Sequence, residues 1–89
     1  MRVKIPSPLF SYTGNRAVVD VELGARATLG AVLDDLDRQF KGLRFRVIDE
    51  QDRIRAHIKM FVSGKLADTL AHAVTSSDEV MIVAALSGG

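Results

Sequence analysis

At 89 residues the chain is long enough for one small domain and not two. Its composition, 47% hydrophobic and 26% charged, is that of a globular protein, and a formal net charge of +1 argues against a nucleic-acid binder, which carries an obvious basic excess. There is no cysteine, so a disulfide framework, a thiolate nucleophile and a cysteine metal site are all excluded.

No apolar run approaches the roughly 20 residues that span a bilayer. Met1-Arg2-Val3-Lys4-Ile5-Pro6 has no apolar run behind its positive charges and does not read as a secretory signal. A soluble, cytoplasmic protein with no membrane or nucleic-acid partner is expected.

Along the chain, Val3 and Ile5 alternate with Arg2 and Lys4, which predicts a short strand over residues 1–5, stopped by Pro6 and Pro8. Residues 7–16 contain Pro8, Gly14 and Asn15 and read as a loop or wide turn. Alternation resumes over 17–23, with Ala17, Val19, Val21 and Leu23 on one face of a half-buried strand paired antiparallel to the first. The period then changes. Leu29, Val32, Leu33, Leu36 and Phe40 follow one helical face, Thr28 stands at the N-cap and Gly42 at the stop, so residues 29–41 are the one substantial helix.

Residues 43–48 read as an irregular or short helical connector, and 49–53 as a charged turn. Alternation over 58–62 ends at Ser63-Gly64, a hairpin signal. Ile58, Met60 and Val62 should face the helix, and Lys59 and Phe61 should face away. After a loop through His72 and Ser76-Ser77-Asp78, residues 79–86 form a nearly continuous apolar run, which suits a central strand covered on both faces. The connection before it has room for a small extra element. One helix on a mixed sheet of four to five strands, with the first and last strands parallel neighbours, is an α+β arrangement of the β-grasp type.

His57 and His72 lie far apart without ligand-spaced partners and read as surface residues, so no metal site is expected. Asp34, Asp35 and Asp37 read as a solvated helix face rather than as acid–base carboxylates. Arg44, Arg46, Arg53 and Arg55 are either solvated charge or a surface for an acidic partner. Met60 and Met81 read as core or sheet-face filler.

The stretch Asp78-Glu79-Val80-Met81-Ile82-Val83-Ala84-Ala85-Leu86-Ser87-Gly88-Gly89 resembles the MoaD/ThiS family of sulfur carriers, relatives of ubiquitin. The resemblance covers nearly the whole chain. The family's helix start is similar to Thr28-Leu29-Gly30-Ala31-Val32, its Phe-Val-Asn-Gly hairpin to Phe61-Val62-Ser63-Gly64, and its Gly-Asp-Glu-Val turn to Ser77-Asp78-Glu79-Val80. Its terminal Gly-Gly is Gly88-Gly89. The chain departs from the pattern at Ala84-Ala85, where the family often has proline, and at Ser63 and Ser77, changes expected to soften the turns.

The resemblance implies a carrier with no catalytic site and no cofactor of its own, acting as a co-substrate of partner enzymes. Residues 1–83 would be the domain and 84–89 a flexible tail. The Gly89 carboxylate would be adenylated and converted to a thiocarboxylate. The chain has no phosphate-cradling glycine loop, so an ATP-dependent enzyme of the ubiquitin-activating type must supply that site. Glycine lets the backbone approach a channel wall closely, and the tail from Ala84 to Gly89 reaches on the order of 20 Å. Leu86, Ser87 and Gly88 would thread the channel, while Phe61, with Lys59, would form the partner-binding surface. A loop over 7–16 covering Phe61 is the competing reading of that residue.

The sulfur acceptor would be a molybdopterin synthase large subunit or a cysteine-synthase-like enzyme. Chain length and the segment between helix and third strand resemble the MoaD branch. Ile5-Pro6, Thr13-Gly14 and the helix start resemble the cysteine-biosynthetic, CysO-like branch. Two other classes stay open: a ubiquitin-like modifier joined to lysines through Gly89, and an interaction domain whose Gly-Gly is incidental.

Overall fold

A computed structural model describes residues 1–85. β1 (Arg2–Lys4) pairs antiparallel with β2 (Val18–Asp20), with Val3 opposite Val19. Val19 and Val21 are buried as the alternation requires, but Ala17 is exposed and Leu23 only half-buried. The segment between the strands, read as a loop, is folded. A 3-10 turn (Ser7–Leu9) leads into a one-turn helix, α1 (Phe10–Thr13), closed by Gly14 in the left-handed region at φ 64°. Pro8 sits in the first turn of the 3-10 segment, where a missing N–H is tolerated. Leu9 is buried there. Thr13, also buried, donates its hydroxyl to the Arg16 carbonyl at 2.9 Å and accepts the Arg16 N–H at 3.2 Å, so the burial leaves no polar atom unpaired.

A short strand, β3 (Arg26–Thr28), runs directly into α2 (Leu29–Gln39). Thr28 caps this helix as its position predicts, its Oγ1 accepting the Ala31 N–H at 3.2 Å. Leu29, Val32, Leu33 and Leu36 are fully buried. The helix stops at Gln39 rather than Lys41. Phe40 departs at φ −134° and ψ 89°, half-buried against the core. Gly42, at φ 92°, opens the next helix instead of ending this one.

That next element, α3 (Leu43–Val47), is a real helix, and Leu43, Val47 and Ile48 are completely buried. Asp37 starts it from outside: one carboxylate oxygen accepts the N–H groups of Gly42 and Arg44, each at 3.1 Å. An acidic side chain of α2 thereby satisfies donors at the start of α3. The charged turn that follows is ordered by Asp49, whose carboxylate accepts the Gln51 and Arg53 N–H groups at 2.9 and 3.0 Å.

β4 (Ile58–Val62) and β5 (Lys65–Ala67) form the hairpin, with Ser63 and Gly64 both at positive φ in its turn. β6 (Ala73–Thr75) pairs with β3 as a separate two-stranded sheet, the extra element for which the connection had room. β7 (Glu79–Ala84) is the central strand of the order β2-β1-β7-β4-β5, parallel to β1 and antiparallel to β4. This is the ubiquitin-like β-grasp architecture, with α2 and α3 on one face of a five-stranded sheet.

The reading of the last strand needs two corrections. β7 ends at Ala84, with Leu86 outside the described residues. It is also covered on one face only: Val80 and Ile82 are buried, whereas Met81 and Val83 are exposed. A central position places hydrogen-bonded strands on both sides but says nothing about the second face. Among the described residues, no helix is long and apolar enough to cross a membrane.

Candidate functional site

Strand parity and register together build the outer face of the sheet. In β4 the odd-numbered residues Lys59 and Phe61 point away from α2, because Ile58, Met60 and Val62 are buried beneath it. The pairing then fixes the neighbours of each. Phe61 stands opposite Leu66 on β5 and Met81 on β7; Met81 stands opposite Lys4 on β1, and Lys4 opposite Val18 on β2. One row thus crosses the whole sheet through Leu66, Phe61, Met81, Lys4 and Val18. Lys59 faces Val83 in the adjoining row.

Leu66, Met81, Val83 and Val18 are all exposed, and Phe61 is half-buried between its cross-strand neighbours. The 7–16 segment does not join the core at Phe61's expense: its Leu9, Phe10 and Tyr12 pack on the buried cluster under the sheet, of which Phe61 is not a member. A contiguous apolar face with Lys59 and Lys4 at hand suits protein docking. The Lys4–Glu79 ion pair, at 3.4 Å with both side chains exposed, contributes little to the fold.

Phe61 and Lys59 were foreseeable from parity alone. The alternation likewise puts Val18 on the face opposite Val19 and Val21, whereas Leu66 and Val83 have no such signal as surface groups, although the Ser63-Gly64 turn places residue 66 opposite residue 61 once the hairpin is assumed. Leu86, Ser87, Gly88 and Gly89 lie outside the described residues. The last described backbone contact before them is the Ala85 N–H donating to the His57 carbonyl at 2.8 Å, which ties residue 85 to the start of β4.

The remaining candidates do not assemble into a reaction centre. Asp35 accepts from Gln39 Nε2 at 2.9 Å and pairs with Arg38; the Gln39 hydrogen bond above all holds its carboxyl below the ordinary carboxylate range. A group so held is ionised at neutral pH and has no proton to donate. Asp34 pairs with Arg44 at 3.1 Å, and Asp37 is spent on α3. His57 is exposed and His72 half-buried. Among the described residues no three of His, Asp and Glu converge as a metal site requires.

The four arginines divide. Arg44 is held between Asp34 and Asp52, and Arg53 lies 3.8 Å from Asp49. Arg46 and Arg55 rest instead on aromatic rings, of Tyr12 and Phe45.

The sulfur carrier proteins CysO of Mycobacterium tuberculosis and Mycobacterium bovis are 30% identical to the chain over 92 residues, spanning 98% of it and 96% of their own length. The chain belongs to the CysO family of sulfur carriers. No protein-family model matches it. Solved structures agree with the assignment. A chain of the Amycolatopsis orientalis BexX/CysO complex superposes with a TM-score of 0.87 at 25% identity, covering 99% of this chain and 98% of that one. Small archaeal modifier protein 1 of Haloferax volcanii gives 0.82 at 27% identity, with 97% of each chain covered. Like these relatives, the carrier is a ubiquitin-like β-grasp, and its sequence carries Gly88-Gly89 after Ala84-Ala85-Leu86-Ser87.

Proposed function

We propose that the carrier acts through the carboxylate of Gly89, delivered by residues 84–89 into an adenylating enzyme of the ubiquitin-activating type. A carboxylate ionised at neutral pH is a poor electrophile. It attacks the α-phosphorus of ATP, pyrophosphate leaves, and the acyl adenylate forms. The terminal sulfur of a persulfide then displaces AMP, and thiol cleavage of the acyl disulfide leaves a thiocarboxylate on Gly89. That sulfur passes to a biosynthetic acceptor. Homology to CysO favours an acceptor of the cysteine-synthase kind over a pterin. A reaction that consumes ATP and a persulfide fits the cytoplasmic location expected from the sequence. The carrier contributes no catalytic group. Its folded part presents the Phe61 face to the enzyme while Leu86, Ser87 and Gly88 line the path to the nucleotide.

The observation that carries this reading is a Gly88-Gly89 sequence following the central strand of a chain that shares 30% identity with sulfur carriers over nearly its whole length. Deleting Gly89, or adding one residue after it, shifts the reacting carboxylate by about 3.3 Å. Displacements near 1 Å already cost about a hundredfold in positioned reactions. Carrier-dependent ATP–pyrophosphate exchange should vanish in both variants with the melting temperature unchanged. Exchange at the wild-type rate would refute the assignment.

Similarity to small archaeal modifier protein 1 supports a second use of the same adenylate, transfer of Gly89 to lysines. Lysine-linked adducts of the carrier in cell extracts would establish it.

A further inference from the structure

We infer that a groove beside the root of the tail receives an acidic segment of the adenylating enzyme, held by Arg46 and Arg55. This rests on the tail reading above and adds a second contact, separate from the Phe61 face. The groove encloses about 480 Å³ between α3, the start of β4 and the end of β7. Buried Leu9 and Ile58 form its floor, and Phe45, more than half exposed, forms one wall. Ala84 and Ala85 line the end from which the tail departs.

The cations of this groove are arranged differently from their neighbours. The Arg55 guanidinium stacks 4.6 Å from the Phe45 ring centre and donates Nε–H to the Phe45 carbonyl at 2.8 Å. Arg46 lies 5.6 Å from the Tyr12 ring centre. Among the described residues neither is paired with a carboxylate, whereas Arg44 and Arg53 both are. Among the described residues no acidic side chain lines the groove, although Asp49 outside it lies near enough for the Arg55 charge to help lower its carboxyl, and His57 adds an imidazole to the rim. An arginine fixed on an aromatic face keeps its charge and is already oriented, so little rotamer freedom is lost when a carboxylate arrives. Apolar floor, aromatic wall and two preset guanidinium groups match an acidic residue flanked by an apolar one.

Location supplies the partner. Gly89 lies four residues beyond Ala85, a reach of about 13 Å when fully extended. Residue 85 is itself anchored on the His57 carbonyl. An enzyme that holds the Gly89 carboxylate at its nucleotide must therefore bring the mouth of its channel to within that distance of the groove.

The test uses the full-length carrier and its adenylating enzyme. Arg46→Glu/Arg55→Glu should raise the dissociation constant by about tenfold or more, chiefly through a slower association rate, and flatten its salt dependence. In pyrophosphate exchange the KM for carrier should rise with kcat unchanged, because the reacting carboxylate is untouched. Since Arg55 also braces Phe45, His57→Glu serves as the second variant. The His57 side chain is exposed and makes no hydrogen bond among the described residues, and a carboxylate in its place should shift affinity in the same direction with the melting temperature unchanged. Equal affinity of wild type and both variants would overturn the groove assignment while leaving the tail reading intact. Absence of exchange with the wild-type carrier would overturn both. Tighter binding by the variants would mean that the groove holds the chain's own terminal carboxylate, and would also overturn the proposal.

Discussion

Two sets of alternating residues on β7 have nearly the same hydrophobicity and opposite fates. Val80 and Ile82 lie under α2 at 0% and 2% exposure; Met81 and Val83, one peptide away, keep 36% and 37%. The inner pair stabilises the fold at roughly 25 cal/mol per Å² of apolar surface removed from water. The outer pair contributes little of that until another molecule covers it. The strand's composition reports that both faces are suited to burial, and only the helix's position decides which burial is intramolecular. Inner substitutions should therefore appear in stability, and outer ones in affinity.

The strongest way to break the comparison is at the inner face. Leu36, fully buried on α2, should cost about 2–5 kcal/mol when changed to Ala. In a small domain that is a large share of the total. Chemical denaturation should show a lower midpoint, and a negligible shift would remove Leu36 from the core and contradict the register of α2. On the outer face, Phe61→Asp should leave the midpoint nearly unchanged and weaken binding to the adenylating enzyme by about 2 kcal/mol, on the order of thirtyfold. If Phe61→Asp unfolds the protein instead, the two faces are not distinct. If affinity holds, the Phe61, Met81 and Leu66 row is not the docking face.

The division between these faces was largely legible beforehand because it depends on parity, which is local. Residues 58–62 and 29–36 carry clean periods, and the structure places their apolar sets together. What was not legible depends on contacts distant in sequence. Leu43, Val47 and Ile48 are among the most buried residues, yet five residues of helix are too few for a period to show. Their start is set by Asp37, a side chain of another element. The β3–β6 pair joins residues 26–28 to 73–75, and neither strand alone has a strong pattern. The four arginines looked alike, and only the fold decides which meet carboxylates and which meet rings. The tail was legible as chemistry through Gly88-Gly89, independently of any packing.

A smaller effect should come from the start of α2. Thr28→Ala removes the acceptor for the Ala31 N–H and should lower stability by about 1 kcal/mol. Because Thr28 lies on neither face of the five-stranded sheet, affinity for the enzyme should be unaffected once the protein is folded. A loss of affinity without a loss of stability would show that β3 and β6 belong to the interface and that the outer face is not the whole docking surface.

The smallest expected effect concerns the end of β7 opposite the tail. Asp78 accepts the Thr75 N–H at 2.8 Å and the Ser63 hydroxyl at 2.7 Å, and the same Ser63 oxygen accepts the Glu79 N–H at 3.2 Å. Ser63, expected to soften its turn, instead clasps the β4–β5 turn to the start of β7. These bonds, that from Thr75 first and that from Ser63 second, hold the Asp78 carboxyl below its ordinary value. A carboxylate with a depressed folded-state pKa stabilises the fold above the unfolded-state value of about 3.9, and this contribution disappears as pH falls through the folded-state value. Asp78→Asn keeps an acceptor oxygen but removes the charge. Asp35 and Asp49 are also shifted downward, so the informative quantity is the difference in stability between wild type and Asp78→Asn rather than either profile alone. That difference should be constant above about pH 5 and narrow as acid protonates Asp78 in the wild type. Urea titrations across this range would measure it. A gap independent of pH would show that the clasp works through neutral hydrogen bonds alone, and the turn at Ser63 would then owe nothing to the charge of Asp78.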